Sequence, residues 1–351
     1  MKKIKDCIIF GTRPEAIKFS ILAKSLKPAP FIINTGQQRE LTNMFLDEFD
    51  VKPNIDLKLM KHDQSLSGFL GRCIQKLGPL IRQLDPERIW VEGDTSSALA
   101  GALVGFIEKR KVIHVEAGLR TYDKCQPFPE ETNRVCIDQI ADILFAPTIR
   151  NKNQLLKEGV RSPIWVTGNV NIDVVEQTKP TLPNISPLKE DFILVTMHRR
   201  EAFGKPMKEM LETLKKLSST IKIVFPVHLN PNVRKAVQAA GIETVEPMNY
   251  KTLLTYLKFC KFVITDSGGI QEEAPSFGKP VLVLRNTTER QELIVAGFGK
   301  LVGWEPNQIL SSAMALLQDV ELYNSMCATY NPFGDGTSAQ QMIKILNMRI
   351  S

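Results

Sequence analysis

Short apolar runs recur along this chain, each closing in a polar or glycine-containing turn and each followed by a stretch with apolar residues at helical spacing. In the first half, Cys7-Ile8-Ile9-Phe10, Phe31-Ile32-Ile33, Ile89-Trp90-Val91, Val112-Ile113-His114-Val115, Ile143-Leu144-Phe145 and Ile164-Trp165-Val166 read as strands. A strand with one wet face would alternate apolar and polar residues. Runs this uniformly apolar, spaced by helices, instead predict a parallel sheet covered on both faces. After the first run, Gly11-Thr12-Arg13-Pro14 predicts a turn into a helix over Glu15–Leu26, with proline at the helix start, where its missing N–H costs little. Thr178 to Asp191 then holds three prolines and no periodicity, the pattern of a linker or exposed loop. Beyond it the alternation resumes with Phe192–Thr196, Ile221–Phe225, Phe262–Thr265 and Val281–Leu284, so a second α/β domain of the same class is expected.

Polar residues collect where the strands end. In the first half these are Gly11-Thr12-Arg13, Thr35-Gly36-Gln37, Glu92-Gly93-Asp94-Thr95 and Glu116-Ala117-Gly118; in the second, His198-Arg199-Arg200-Glu201, His228-Leu229-Asn230 and Asp266-Ser267-Gly268. Parallel sheets bind ligands at the carboxyl ends of their strands, so two such domains are expected to face a shared cleft. The length of 351 residues accommodates both, and 43% apolar with 24% charged residues is ordinary for a folded protein. The net charge of +7 is spread over many helix faces without a dense run, which argues against nucleic acid as a partner. Six cysteines without a C-x-x-C pair indicate neither zinc nor a disulfide framework and suggest buried thiols in a reducing compartment. No apolar run suits a signal peptide or a membrane span, so a cytoplasmic protein with no membrane partner is expected.

The most informative stretch is Ile264 to Glu292. A strand entering the turn Asp266-Ser267-Gly268-Gly269 and then a helix leaves free N–H groups where the peptide dipoles favour an anion. Ser267, Gly268 and Gly269 would receive a phosphate, Glu273 a ribose diol, and Arg290 further phosphate oxygens. Arg13 and Lys18 are candidates for a diphosphate at the end of the first strand. Asp94, Glu116 and Glu130 are candidate acid/base groups, since carboxylates ending apolar strands are costly to desolvate; Asp94 serves equally well as the N-cap of a helix starting at Ser96. His198 is placed to bond a phosphate oxygen or leaving group, His114 reads as a packed core residue, and no histidine spacing suggests a metal.

The blocks GTRPEAIK, EGDT, HVEAGLRT, PFPEETNR, HRRE, PVHLNP and TDSGGIQEEAPS, in this order over nearly the whole chain, resemble the non-hydrolysing UDP-N-acetylglucosamine 2-epimerases. The resemblance implies two Rossmann-like domains of the glycosyltransferase B type, at 1–169 with a C-terminal helix about 335–351, and at 170–334 for UDP. It also implies closure on binding, a homodimer, no cofactor and UDP-N-acetylglucosamine as substrate. By motif, Arg13 and Lys18 match the family's phosphate-side cations, Asp94, Glu116 and Glu130 its catalytic carboxylates, and His198 the histidine near the leaving diphosphate. Ser267, Gly268, Gly269, Glu273 and Arg290 match its UDP-binding residues, with uracil contacts at Met248 and Leu253. A second UDP-N-acetylglucosamine, acting as activator in several bacterial members, would meet Gln37, Arg72, Arg199 and His228; Glu40 stands where a glutamine is common, and its carboxylate changes that site's charge.

The implied reaction is elimination of UDP across C1 and C2 to a bound 2-acetamidoglucal, then re-addition after protonation on the other face, which needs acid/base groups on two sides. The product would supply N-acetylmannosamine units for surface polysaccharide. The alternatives are a hydrolysing 2-epimerase that releases N-acetylmannosamine and UDP, a glycosyltransferase of the same fold, and a simple binding module.

Overall fold

The computed structural model describes residues 3–37, 51–199, 202–227 and 231–349. The chain divides into two compact units, 1–174 with 333–351, and 175–332.

The first unit carries seven parallel strands: β1 (Asp6–Phe10), β2 (Phe31–Asn34), β3 (Ile55–Asp56), β4 (Arg88–Glu92), β5 (Lys111–Val115), β6 (Ile143–Ala146) and β7 (Ile164–Val166). Their order across the sheet is β3-β2-β1-β4-β5-β6-β7. Every residue of β1 and β4 is buried, as a sheet covered on both faces demands. One covering layer joins Ile9, Val91 and Val112 of the sheet to Phe69, Cys73, Leu77 and Ile81, which recur at helical spacing along the Leu66–Leu84 helix. The closing helix, Ser338–Arg349, belongs to this unit. Its first turn is held by Asp173, whose carboxylate accepts the N–H groups of Ser338 (3.0 Å) and Ala339 (2.7 Å).

The second unit has five parallel strands, β8 (Phe192–Thr196), β9 (Lys222–Val224), β10 (Val263–Thr265), β11 (Val281–Val283) and β12 (Gly299–Leu301), in the order β12-β11-β10-β8-β9. Ile193, Val195, Ile264 and Leu282 of the sheet meet Met207, Met210, Leu211 and Leu214 of the Lys205–Leu217 helix in its core.

The α/β class and the two Rossmann-like parallel sheets are as the pattern predicts, with local corrections. β3 and β12 are edge strands of two and three residues, too short for an apolar run to announce them. The first helix spans Arg13–Ser25, so Arg13 is its first residue and Pro14 its second. Thr178–Asp191 contains a 3₁₀ turn at Lys179–Thr181 and lies inside the second unit, because the division precedes it. Cys125 and Cys136 are exposed, whereas Cys7, Cys73 and Cys260 are buried. Among the described residues no helix is long and apolar enough to cross a membrane.

Candidate active site

In the first sheet β1 has β2 on one side and β4 on the other, so the strand order reverses there and the turns after β1 and β4 part at the carboxyl edge. Glu15 bridges that point. Its Oε2 accepts the N–H groups of Gly11 (3.1 Å) and Thr12 (2.8 Å) and the Thr12 hydroxyl (2.7 Å), while Oε1 accepts the Thr95 hydroxyl (2.8 Å). Burial pushes this carboxyl up to about 7, against the pull of those four neutral donors. Gly11 is required beside it: a Cβ there would stand 2.0 Å from the Ser97 hydroxyl and 2.2 Å from that of Thr35.

At the ends of β4 and β5 lies a buried charge cluster. Glu92 is the last residue of β4, and Glu116 follows β5 with φ of +67°, a conformation that costs a residue with a Cβ and recurs at functional sites. Lys18 joins them, its ammonium 2.7 Å from Glu92 and in contact with the Glu116 carboxylate. Arg134 donates to the Glu116 carbonyl (2.7 Å) and carboxylate (3.2 Å), and its other terminal nitrogen pairs with Asp94. Asn169 donates to Glu116 at 3.3 Å, and Asn133 to the Asp94 carbonyl at 2.8 Å. Burial, with Glu116 alongside, raises Glu92 well above the carboxylate range despite Lys18.

Three of the expected residues therefore converge here, with changes of role. Lys18, expected on the phosphate side, is buried with its ammonium between the Glu92 and Glu116 carboxylates, because the helix aims it inward at the strand ends. Asp94 is not the cap of the Ser96–Ile107 helix; Thr95 is, its hydroxyl accepting the Ala98 N–H at 3.0 Å. Glu130 opens the Glu130–Ile140 helix, and Arg134 one turn further shares its face. Arg13 is half-buried at the head of its helix. His114 is a core residue, bonded through Nδ1 to Asp138 (2.7 Å) and through Nε2 to the Gly93 carbonyl (2.8 Å). Burial pushes Asp138 up, but His114 and Arg120 outweigh it and hold it below its ordinary range.

The second sheet reverses at β8, with β9 on one side and β10 on the other. Asp266, directly after β10, accepts the backbone N–H groups of His198 and Arg199 on one oxygen, each at 2.7 Å, and faces His198 Nδ1 with the other at 3.0 Å. Ser267 is the N-cap of the Gly268–Glu273 helix and makes no side-chain capping bond, so the first turn has the form that suits an anion. A Cβ on Gly268 would lie 2.7 Å from the Arg290 guanidinium carbon, so glycine is what allows that arginine to pack against the turn. Arg290, expected to meet phosphate oxygens, pairs with Glu272 at 2.8 Å and with Glu289, because burying a guanidinium demands carboxylate partners. Burial would raise Glu289, but Arg285, Arg290 and Arg199 hold it well below the usual range. Glu273 accepts the Tyr250 hydroxyl at 3.1 Å. Leu253 lies half-buried on the Tyr250–Phe259 helix, and Met248 half-buried in the segment before it.

Of the residues matched to a second nucleotide sugar, Gln37 accepts the Ser97 N–H (3.2 Å) and hydroxyl (2.8 Å), Arg72 donates to the Leu59 carbonyl (3.3 Å), and Arg199 belongs to the Glu289 cluster. Glu40 and His228 lie outside the described residues. Sequence reasoning missed Glu92, Arg134, Tyr250, Asp266 and Glu289. Three had a signal: Arg134 stands four residues after Glu130, Asp266 immediately precedes Ser267, and Glu289 adjoins Arg290. Among the described residues no group of three His, Cys, Asp or Glu could hold a metal ion.

Residues 24–347 match the family model described as UDP-N-acetylglucosamine 2-epimerase. The Bacillus subtilis UDP-N-acetylglucosamine 2-epimerase is 40% identical over 365 residues, covering 99% of this chain and 96% of that one. Among solved structures, the S. aureus MnaA–UDP complex superposes with a TM-score of 0.92 at 39% identity, covering 100% of this chain and 97% of that one. The Neisseria meningitidis UDP-GlcNAc 2-epimerase bound to UDP-GlcNAc superposes at 0.91 and 36%, covering 98% and 100%. A fold of the glycosyltransferase B type, a buried carboxylate and cation cluster at one strand-order reversal and an anion turn at the other therefore come with kinship along the whole chain, which belongs to the UDP-N-acetylglucosamine 2-epimerase family of isomerases.

Proposed function

We propose that this chain interconverts UDP-N-acetylglucosamine and UDP-N-acetylmannosamine without hydrolysis. The second unit's glycine turn, with Ser267, Gly268, Gly269, Arg290 and His198, holds the diphosphate; Glu273 takes the ribose, and Met248 and Leu253 line the uracil position. The first unit's Asp94, Glu116 and Glu130 act on the sugar, with Arg13 on the phosphate side. The observation that carries the reading is the cluster around Glu116, buried and held by Lys18, Arg134 and Asn169. A carboxylate fixed by cations in a water-poor setting can exchange a proton at carbon while a leaving group departs, and fixed cations and amides favour the diphosphate as its charge grows.

In chemical terms, the C2 hydrogen leaves as a proton to one carboxylate, and the electron pair of the C1–O bond leaves with UDP. The glucal stays bound, a second acid protonates C2 on the opposite face, and UDP adds back at C1. Glu116 and Glu130 form that pair, with Asp94 sharing or orienting. The product supplies N-acetylmannosamine units to surface polysaccharide, and the protein works in the cytoplasm as a homodimer.

The test is incubation with UDP-N-acetylglucosamine in deuterated water, followed by NMR at C2. UDP-N-acetylmannosamine at a minority fraction, with deuterium at C2, is the expected result. Free N-acetylmannosamine with UDP would assign the hydrolysing reaction, and product without label would exclude proton exchange at that carbon.

A further inference from the structure

We infer that Asp266 is the positioning residue for His198: from across the strand-order reversal of the second sheet it fixes the imidazole with its proton on Nδ1, and so makes Nε2 the nitrogen that meets the departing diphosphate. This rests on the function proposed above for its account of the ligand, and on geometry for its account of the ring.

Asp266 is 1% exposed, and a carboxylate at that depth must find donors. Its Oδ2 accepts two successive backbone N–H groups from the single turn after β8, each at 2.7 Å, and its Oδ1 faces the His198 Nδ1 of the same turn at 3.0 Å. β8 and β10 are paired with Thr196 opposite Thr265, whose hydroxyls lie 2.6 Å apart, so the two turns leave the sheet from the same level. An ionised carboxylate offers only acceptors, so the nitrogen facing it carries the hydrogen. Burial pushes Asp266 up, but His198 and the two amides outweigh it and hold it below its ordinary range, so it is ionised at neutral pH. With Nδ1 committed, the ring meets a ligand through Nε2, as in other histidines oriented by a carboxylate. Ser267 follows Asp266 directly and heads the anion turn, so one short segment sets both the phosphate-binding N–H groups and the imidazole.

A carboxylate that only tied two loops together would show the same contacts, and the experiment separates the cases. In the full-length wild type, nitrogen NMR of labelled histidine is expected to show neutral His198 protonated at Nδ1. Asp266→Asn keeps an acceptor for the two amides but turns a donor toward Nδ1, which favours the opposite tautomer. It is expected to lower kcat by ~100-fold, the upper end of what losing a partner that orients a histidine costs, with UDP affinity within ~3-fold. In a His198→Gln background the same change should cost less than ~3-fold, because the two residues act as one unit. An Nε2-protonated ring in the wild type, an equal loss in both backgrounds, or UDP affinity falling as far as kcat would each overturn the inference. Should the asparagine chain fail to fold, the wild-type tautomer decides alone. Should the wild type not turn over UDP-N-acetylglucosamine, the function falls while the tautomer still tests the ring.

Discussion

Each unit bridges its strand-order reversal with a buried carboxylate, and the two titrate in opposite directions. Glu15, between the turns after β1 and β4, is pushed up by burial to about 7, because its partners are amides and hydroxyls. Asp266, between the turns after β8 and β10, is held below its ordinary range because the His198 imidazole and two backbone amides together outweigh its burial. The topological task is the same; the partners decide whether the bridge is a scaffold that tends toward neutrality or an anion that faces a histidine. The same contrast extends outward. In the first unit cations serve acids, with Lys18 and Arg134 holding Glu92, Glu116 and Asp94. In the second unit acids serve cations, with Glu272 and Glu289 holding Arg290 and Arg285. One arrangement suits moving a proton and the other suits holding an anion.

The strongest way to break this contrast is Arg134→Met. It leaves Glu116 with less counter-charge at depth and is expected to cost about 3–5 kcal/mol in urea unfolding, the range for removing one partner of a buried ion pair. A loss near zero would mean that the acids of the first unit do not depend on their cations.

Next comes the sign of titration at Glu15. Its carboxyl is raised from 4.5 to about 7 on folding, so its contribution to stability is full below pH 4.5 and lost as pH rises through about 7. Wild type is expected to lose roughly 3 kcal/mol over that window relative to Glu15→Gln. Denaturation series on both chains at the two ends of the window measure it, and parallel curves would refute it. Asp266 has the reverse sign, contributing stability at neutral pH that is lost as pH falls through its depressed value.

Glu116→Gln sharpens the division of labour. Turnover is expected to fall ~100-fold or more, as for a lost general acid or base, with UDP binding retained by the other unit. Titration calorimetry with UDP checks the second half of that statement. The smallest expected effect is Gly268→Ala, whose methyl would enter the space of the Arg290 guanidinium, 2.7 Å away. UDP affinity should weaken ~10-fold, about 1.4 kcal/mol, with stability little changed; unaltered affinity would separate Arg290 from the anion turn.

Both sheets were legible as uniformly apolar runs, and so were the polar turns that carry Asp94, Glu116, His198 and Ser267, since buried parallel strands must be apolar and must end where the backbone meets a ligand. β3 and β12 escaped because two or three residues on a sheet edge leave no pattern. The role of Lys18 was not legible either: one turn into a helix, a lysine looks solvated until the fold places Glu92 and Glu116 around its ammonium.

The residue order along the chain determined the class of fold, the ends of strands at which chemistry collects, and the family. Only the tertiary structure decided which charges neutralise which: Lys18 with residues 74 and 98 positions away, Asp266 with His198 across 68. Periodicity and turn chemistry act over a few residues and can be read in one dimension. The protonation of a buried group depends instead on the distance to its partners, and that distance exists only once parallel strands set remote turns side by side.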